Sequence, residues 1–278
     1  MRDRPFHSEY PAIEVKIHFS KYQATGNDFV LIDNRSGEYS FSVDDIKRIC
    51  DRRFGIGGDG LMLIEKHPSA HFNLRYYNSD GSQSLCGNGS RAAVKMAASL
   101  GLINGKARFA AFDGIHDAEI SDTGIVRLKM NDVREVKKIG QDYFINTGSP
   151  HYISFVSNLQ RYPVFESGKK IRYSQAYSPG GTNVNFVERA NDNSIFVRTY
   201  ERGVEDETFS CGTGVTAAAL AASDHGLTSP VTVHTLGGDL QVEFKSGHSG
   251  LPTGQAGIFE DIYLIGPAKL VFEGDLEL

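Results

Sequence analysis

Two short stretches of this chain are copies of each other, and that repeat limits the fold more than any other feature. Cys86-Gly87-Asn88-Gly89 runs into Ser90-Arg91-Ala92-Ala93-Val94, and Cys211-Gly212-Thr213-Gly214 runs into Val215-Thr216-Ala217-Ala218-Ala219. In each, a cysteine precedes a glycine pair and an alanine-rich run of helical character. Each run stops at a Gly-Leu, with Gly101 and Gly226 equally far past their cysteines. The flanks repeat as well. Thr25-Gly26-Asn27-Asp28 and its apolar run match Thr147-Gly148-Ser149-Pro150-His151 and Tyr152 to Val156. Gly58-Asp59-Gly60 matches Gly181-Thr182-Asn183, and Leu74-Arg75-Tyr76-Tyr77 matches Val197-Arg198-Thr199-Tyr200. The chain therefore reads as two similar halves. Each helix that follows a cysteine is nearly all small and apolar, as a helix buried all round is.

The rest of the chain supplies strands to wrap those helices. Val15, Ile17 and Phe19 alternate as in a strand, and Phe29–Ile32, Leu61–Ile64, His71–Tyr77, 107–112, 118–120 and 125–130 read as further strands of the first half. Strands at 152–156, 184–187, 196–200, 231–235 and 240–244 follow in the second, and 269–272 is placed to cross back to the first. Ser42-Val43-Asp44-Asp45 opens a helix expected to reach Arg53, with Ser42 and Asp45 as a capping box. Gly55 to Gly60 precedes a strand, so it is a sharp turn rather than a dinucleotide fingerprint. Residues 157–175 read as a surface insertion and residues 1–14 as a polar extension. The expected fold is α+β, with two pseudo-symmetric domains, each a mostly antiparallel sheet around a central helix. The domains are expected at 1–130 plus 267–278 and at 131–266.

Composition removes several function classes. A chain of 278 residues with net charge −5 has room for about two domains and no basic run to track phosphates. Nucleic acid and membrane are not expected partners, and the N-terminus has no secretory signal, so a cytoplasmic setting is expected. The three cysteines lack a Cys-x-x-Cys spacing, which disfavours a disulfide framework or a zinc site. Cys50 lies in an apolar and basic helical pattern and reads as a core thiol.

A cysteine at a helix start meets free backbone N–H groups and the positive end of the helix dipole, which favours thiolate over thiol. Two of them at matched positions would face each other across one ligand. Cys86 and Cys211 could then take a proton from one face of a tetrahedral carbon and return one to the other, exchanging roles in the reverse direction. The N–H groups of Gly87, Asn88, Gly212 and Thr213 could hold a carboxylate as charge develops on it. Asn27, Asn78 and Asn183 sit in turns at strand ends, where an Asx-type cap competes with ligand contact. Glu201 and Arg202 lie at the mouth of the same cleft and could hold a second ammonium and a second carboxylate. Simple packing of the thiols, or a reversible disulfide between them, fits the same spacing.

These motifs, together with Asn78-Ser79-Asp80-Gly81, Tyr200-Glu201-Arg202-Gly203 and Glu207-Thr208-Phe209-Ser210-Cys211, resemble the diaminopimelate epimerase family from about Phe19 to the C-terminus. The resemblance implies interconversion of LL- and meso-diaminopimelate without pyridoxal phosphate or metal, in lysine and peptidoglycan-precursor synthesis. It implies Cys86 and Cys211 as the base and acid, and a homodimer. It also implies substrate contacts at Asn27, Asn78, Ser149, Asn183, Glu201 and Arg202 and at the backbone of Gly87, Asn88, Gly212 and Thr213. The Asn, Glu and Arg side chains are expected at the distal end of the substrate, with Asn27 nearer the reacting end. Two positions depart from the family pattern. Ser149 stands where many members have Asn, and Gly60 where many have Gln, so a looser grip or a water-filled gap is expected there. Other readings are a proline or hydroxyproline racemase-like enzyme, and a non-catalytic amino-acid-binding protein on the same scaffold.

Overall fold

A computed structural model describes residues 16–190, 192–247, 255–256 and 258–277. The polar stretch 1–14 lies outside the described residues, as does Val15. The first half contributes β1 (Lys16–Ala24), β2 (Asn27–Asp33), α1 (Val43–Cys50), β3 (Gly60–Glu65), β4 (Phe72–Asn78), α2 (Gly87–Ser99), β5 (Lys106–Ala111), β6 (Gly114–Ile120) and β7 (Ile125–Lys129). Then come β8 (Val136–Ile139), β9 (Asp142–Asn146), β10 (Pro150–Phe155), α3 (Val164–Arg172), β11 (Asn183–Arg189), β12 (Ser194–Glu201) and β13 (Asp206–Thr208). The chain continues with α4 (Gly212–Ser223), β14 (Val231–Thr235), β15 (Gly238–Gly247), β16 (Gln255–Ala256), β17 (Ile258–Pro267) and β18 (Lys269–Glu277).

Strand pairing makes the internal symmetry explicit. Neighbours run β18-β1-β2-β3-β4-β5-β6-β7 in one half and β8-β9-β10-β11-β12-β14-β15-β17 in the other. The pairs agree in direction step by step: β2 with β3 and β4 with β5 are parallel, as are β10 with β11 and β12 with β14. The remaining steps in both halves are antiparallel. β7 and β17 pair antiparallel and join the halves edge to edge. The last strand of the chain is thus the outer neighbour of the first, with Phe19 edge-on to Phe272 at 5.9 Å.

Each half folds around its own helix. Ala92, Ala93, Val94 and Ala97 of α2 and Ala217 to Ala222 of α4 are buried in one continuous apolar cluster. Alanine dominates because strands approach these helices from several sides and leave little room for longer side chains.

Residues 157–175 are not a loose surface insertion. They contain α3, and Leu159 and Val164 pack with Val184, Phe186 and Tyr200 into a cluster of their own. The physical reason is the parallel pair: β10 and β11 cannot be joined by a hairpin, so a crossover helix must cover the sheet. α1 does the same between β2 and β3. It is shorter than its pattern predicts, ending at Cys50, because the Asp51 carboxylate accepts from the N–H groups of Arg53 and Phe54 and turns the chain. Its capping box is present, with Ser42 Oγ accepting from Asp45 N–H and the Asp45 carboxylate accepting from Ser42 N–H.

Candidate active site

Cys86 and Cys211 are the N-cap residues of α2 and α4, both in extended conformation at φ −127° and −115°. The two helix starts meet head to head. A methyl group added to Gly212 would stand 3.6 Å from Gly87 Cα and 3.0 Å from the Leu264 side chain. Glycine at both positions lets the two backbones approach this closely. Cys211 is 8% exposed and Cys86 half-buried, and both are free thiols.

The electrostatics differ from the helix-start expectation. Gly89 N–H donates to Cys86 Sγ at 3.4 Å, and the Thr213 hydroxyl lies 3.5 Å from Cys211 Sγ. Both contacts favour thiolate. Burial outweighs them, pushing the Cys86 thiol up to about 11 and Cys211 higher still. The Glu201 carboxylate faces both thiols and raises each further. Cys50, packed in the core with Ile46 and Ile49, is also pushed up by burial.

The polar residues form two networks, one behind each helix start. In the first half Asn27 Nδ2 donates to Asp59 Oδ2 at 2.8 Å, and Asn27 Oδ1 accepts from Asn88 Nδ2 at 2.5 Å. Asn88 Oδ1 accepts from Arg91 at 2.9 Å, and Arg91 also donates to Thr25 Oγ1 at 3.0 Å. Arg52 holds Asp59 from outside at 2.8 Å. Asn27 is thus fixed against the start of α2. Asn78, by contrast, is engaged by its own loop: its amide donates to the Ser82 and Ser84 hydroxyls and accepts from Ser84.

In the second half Asn183 bridges three segments. Its Nδ2 donates to Ser149 Oγ at 2.9 Å and to the Pro150 carbonyl, and its Oδ1 accepts from Arg202 N–H at 2.9 Å. The Arg202 guanidinium reaches Ser149 Oγ at 3.4 Å and the Gly180 carbonyl. Glu201 accepts from Thr208 Oγ1 at 2.9 Å, and burial pushes its carboxyl up.

Gly60 has close neighbours on its side-chain side. A methyl group there would fall 2.3 Å from the Tyr77 carbonyl and 2.4 Å from the Tyr76 ring, so glycine is what lets β3 and β4 pair at this point. The Ser149 hydroxyl ties Asn183 to Arg202.

Several participants were not singled out by pattern. His151 is fully buried, and its Nε2 lies 2.9 Å from Thr213 Oγ1. Asn185 Nδ2 donates to the Tyr152 carbonyl, which can only accept, and to His151 Nδ1 at 3.1 Å. His151 Nδ1 is therefore the acceptor and Nε2 carries the proton, leaving the Thr213 hydroxyl hydrogen free to turn to Cys211. Burial and the nearby Arg202 charge hold His151 down to about 3. The signal for such residues was in the mismatches of the repeat. Phe29 and Met62 stand where His151 and Asn185 do, and Asn88 and Arg91 stand where Thr213 and Thr216 do. Among the described residues no three His, Cys, Asp or Glu side chains gather as a metal site.

The sequence profile described as Diaminopimelate epimerase matches residues 19–136 and 143–258. A diaminopimelate epimerase of Flavobacterium psychrophilum is 47% identical over 257 residues, covering 91% of this chain and 97% of that one. One of Aquifex aeolicus is 38% identical over 94% of this chain and 98% of its own. Among solved structures, a PhzF-family phenazine biosynthesis protein of Bacillus anthracis superposes with a TM-score of 0.74 at 13% identity, covering 95% of this chain and all of that one. A hydroxyproline epimerase of Agrobacterium vitis superposes at 0.63 with 15% identity, over 95% of this chain and 93% of its own. At these identities the two structures show a shared fold.

Proposed function

This chain belongs to the diaminopimelate epimerase family, and from that premise we propose that it interconverts LL- and meso-diaminopimelate by two-thiol acid/base chemistry. The observation that carries the mechanism is the head-to-head approach of two cysteine-capped helix starts. A substrate α-carbon between Cys86 and Cys211 would lose its proton to the thiolate on one face and gain one from the thiol on the other. The N–H groups of Gly87, Asn88, Gly212 and Thr213 would hold the α-carboxylate, where charge builds as the proton leaves. Burial that raises both thiols also strengthens each of these contacts at the moment of transfer. Asn27 would sit nearest the reacting end. Asn183, Ser149 and Arg202 form a linked set for the distal amino acid, with Glu201 and Asn78 at its edge. Glu201 also bears on both thiols, so its carboxylate acts on the reacting end too.

The same reading carries independence from pyridoxal phosphate, a place in lysine and peptidoglycan-precursor synthesis, a cytoplasmic setting and a homodimer. The homodimer is supported by exposed Leu270, Val271 and Phe272 on β18, an apolar strip suited to a second copy. We place the domain division at 1–130 plus 267–278 and 131–266.

The test is proton NMR of LL-diaminopimelate with reduced enzyme in D2O. The expected result is loss of the α-proton signal with appearance of the meso form. Cys86→Ala and Cys211→Ala should each lower turnover by at least about a hundredfold, the lower end of what a positioned acid or base contributes. Exchange with proline or 4-hydroxyproline and none with diaminopimelate would overturn the reading in favour of a proline racemase-like enzyme. No exchange with any of them would leave only binding.

A further inference from the structure

Arg91 is the one residue of the α2 start whose charge the two-thiol mechanism leaves unexplained. Its side chain is fully buried in the middle of the molecule. Such a cation is costly without an anion beside it. Among the described residues no carboxylate pairs with it, and its Nε has no hydrogen-bond partner. Its contacts are neutral: the Thr25 hydroxyl, the Asn88 side-chain oxygen and, at 3.4 Å, the Gly87 carbonyl. Gly87 and Asn88 are the two residues that directly follow Cys86.

The repeat supplies an internal comparison. The residue at the same place in the second half is Thr216, also fully buried, whose hydroxyl donates to the Gly212 carbonyl at 2.9 Å. Both side chains thus donate to the carbonyl of the first glycine of their helix, but only one carries a charge. The imidazole behind Cys211, His151, is held neutral. At the carbonyl of the first glycine, therefore, the second helix start has a hydroxyl where the first has a full positive charge, and the Arg202 cation of the second half bears on His151.

We propose that Arg91 is a positioning residue that makes the two thiols unequal, so that in the free protein Cys86 gives up its proton more readily than Cys211. The other groups that face these thiols do not create the difference. Glu201 on β12 repels a thiolate at either position, and each cysteine faces the other. Tyr76 on β4 is a neutral phenol near Cys86, held far above its ordinary range by burial. Leu264 on β17 is apolar and touches both helix starts. The Gly89 and Asn88 N–H groups on one side and the Thr213 hydroxyl with Gly214 N–H on the other are two neutral donors each. Arg91 bears on Cys86, whereas the Arg202 cation of the second half bears on His151 and is not among the groups that act on Cys211, and Cys86 is the less strongly raised of the two thiols.

The inference rests on the two-thiol reading, but its test needs no substrate. Iodoacetamide labelling of the full chain, followed by peptide mass spectrometry across a pH series, gives a titration midpoint for each cysteine. Midpoints are compared because access scales the rate at every pH alike. The expected result is a Cys86 midpoint about one pH unit or more below that of Cys211. Arg91→Met should raise the Cys86 midpoint by about a unit, roughly tenfold slower labelling at fixed pH, without moving Cys211. Arg91→Lys, which keeps the charge, should restore most of the difference.

A purely structural Arg91 would lower the melting temperature of Arg91→Met and leave the Cys86 midpoint in place, and that result overturns the proposal. If Arg91→Met does not fold, the native protein still decides, because coincident or reversed midpoints there are equally fatal. Failure of the D2O exchange with the midpoints in the expected order would instead sink the functional reading and leave this one standing.

Discussion

The thiols show how burial and local contacts compete at a single residue. A helix start and an N–H donor favour thiolate, yet the loss of water costs more, so both cysteines are pushed up. His151 answers to the same cost with opposite sign, because its charged form is the protonated one. Its folded value, about 3, lies below the ordinary 6.5, so the unfolded chain takes up a proton first as the pH falls. Its contribution to stability is full above about pH 6.5 and is lost as the pH drops toward 3. Urea unfolding at about pH 7 and about pH 5 should show a loss to which His151 contributes about 2 kcal/mol, on a per-unit value of about 1.4. His151→Gln, which cannot titrate, should show that much less loss, and an equal loss in both proteins would contradict the assignment. The cysteines stood out because they recur in the repeat, and Asn27 and Asn183 because they sit in turns at strand ends. His151, Asn185, Asp59 and Arg91 did not, because their importance lies in contacts between strands and helices far apart in sequence.

Elements with strong local signals were read correctly in kind. The capping box opened α1, the cysteines opened α2 and α4, and apolar runs bounded by turn residues marked most strands. β13, β16 and β17 were not read, nor were β8 and β9, since Val136–Ile139 and Asp142–Asn146 are short and rich in charged and polar residues. Their partners, each other and β10, are what make them strands. α3 was missed for a similar reason: its polar face resembles a solvated loop until the parallel pair it bridges is known. α4 makes the tightest demand on composition. Ala218 is fully buried at its centre. Ala218→Leu should therefore overpack the second half and lower stability by about 1–3 kcal/mol. Calorimetric or fluorescence melting reads this directly, and an unchanged melting temperature would show room around the helix that the packing denies.

Across the whole molecule, the chain closes on itself. β18 pairs with β1 along Lys16 to Gln23, so the last residues finish the first half. Leu276 packs on the cluster that holds Ile17 and Phe19. A chain ending at Ala268 would leave β1 as an unpaired edge over an opened core. It should melt lower and aggregate, as size-exclusion chromatography and thermal unfolding would reveal, and a truncated protein as stable as the full chain would refute this role. The sequence by itself determined the two-fold repeat, the helix starts that carry the cysteines, and the apolar runs of most strands. Those properties are local, set by which residues can cap a helix, turn at glycine or alternate across a pleat. Only the tertiary structure decided that the two helix starts touch, that Gly60 has close neighbours on its side-chain side, and that Arg91 lies buried without an anion. Those outcomes depend on distance and on the exclusion of water, and both arise only when segments remote in sequence are packed together.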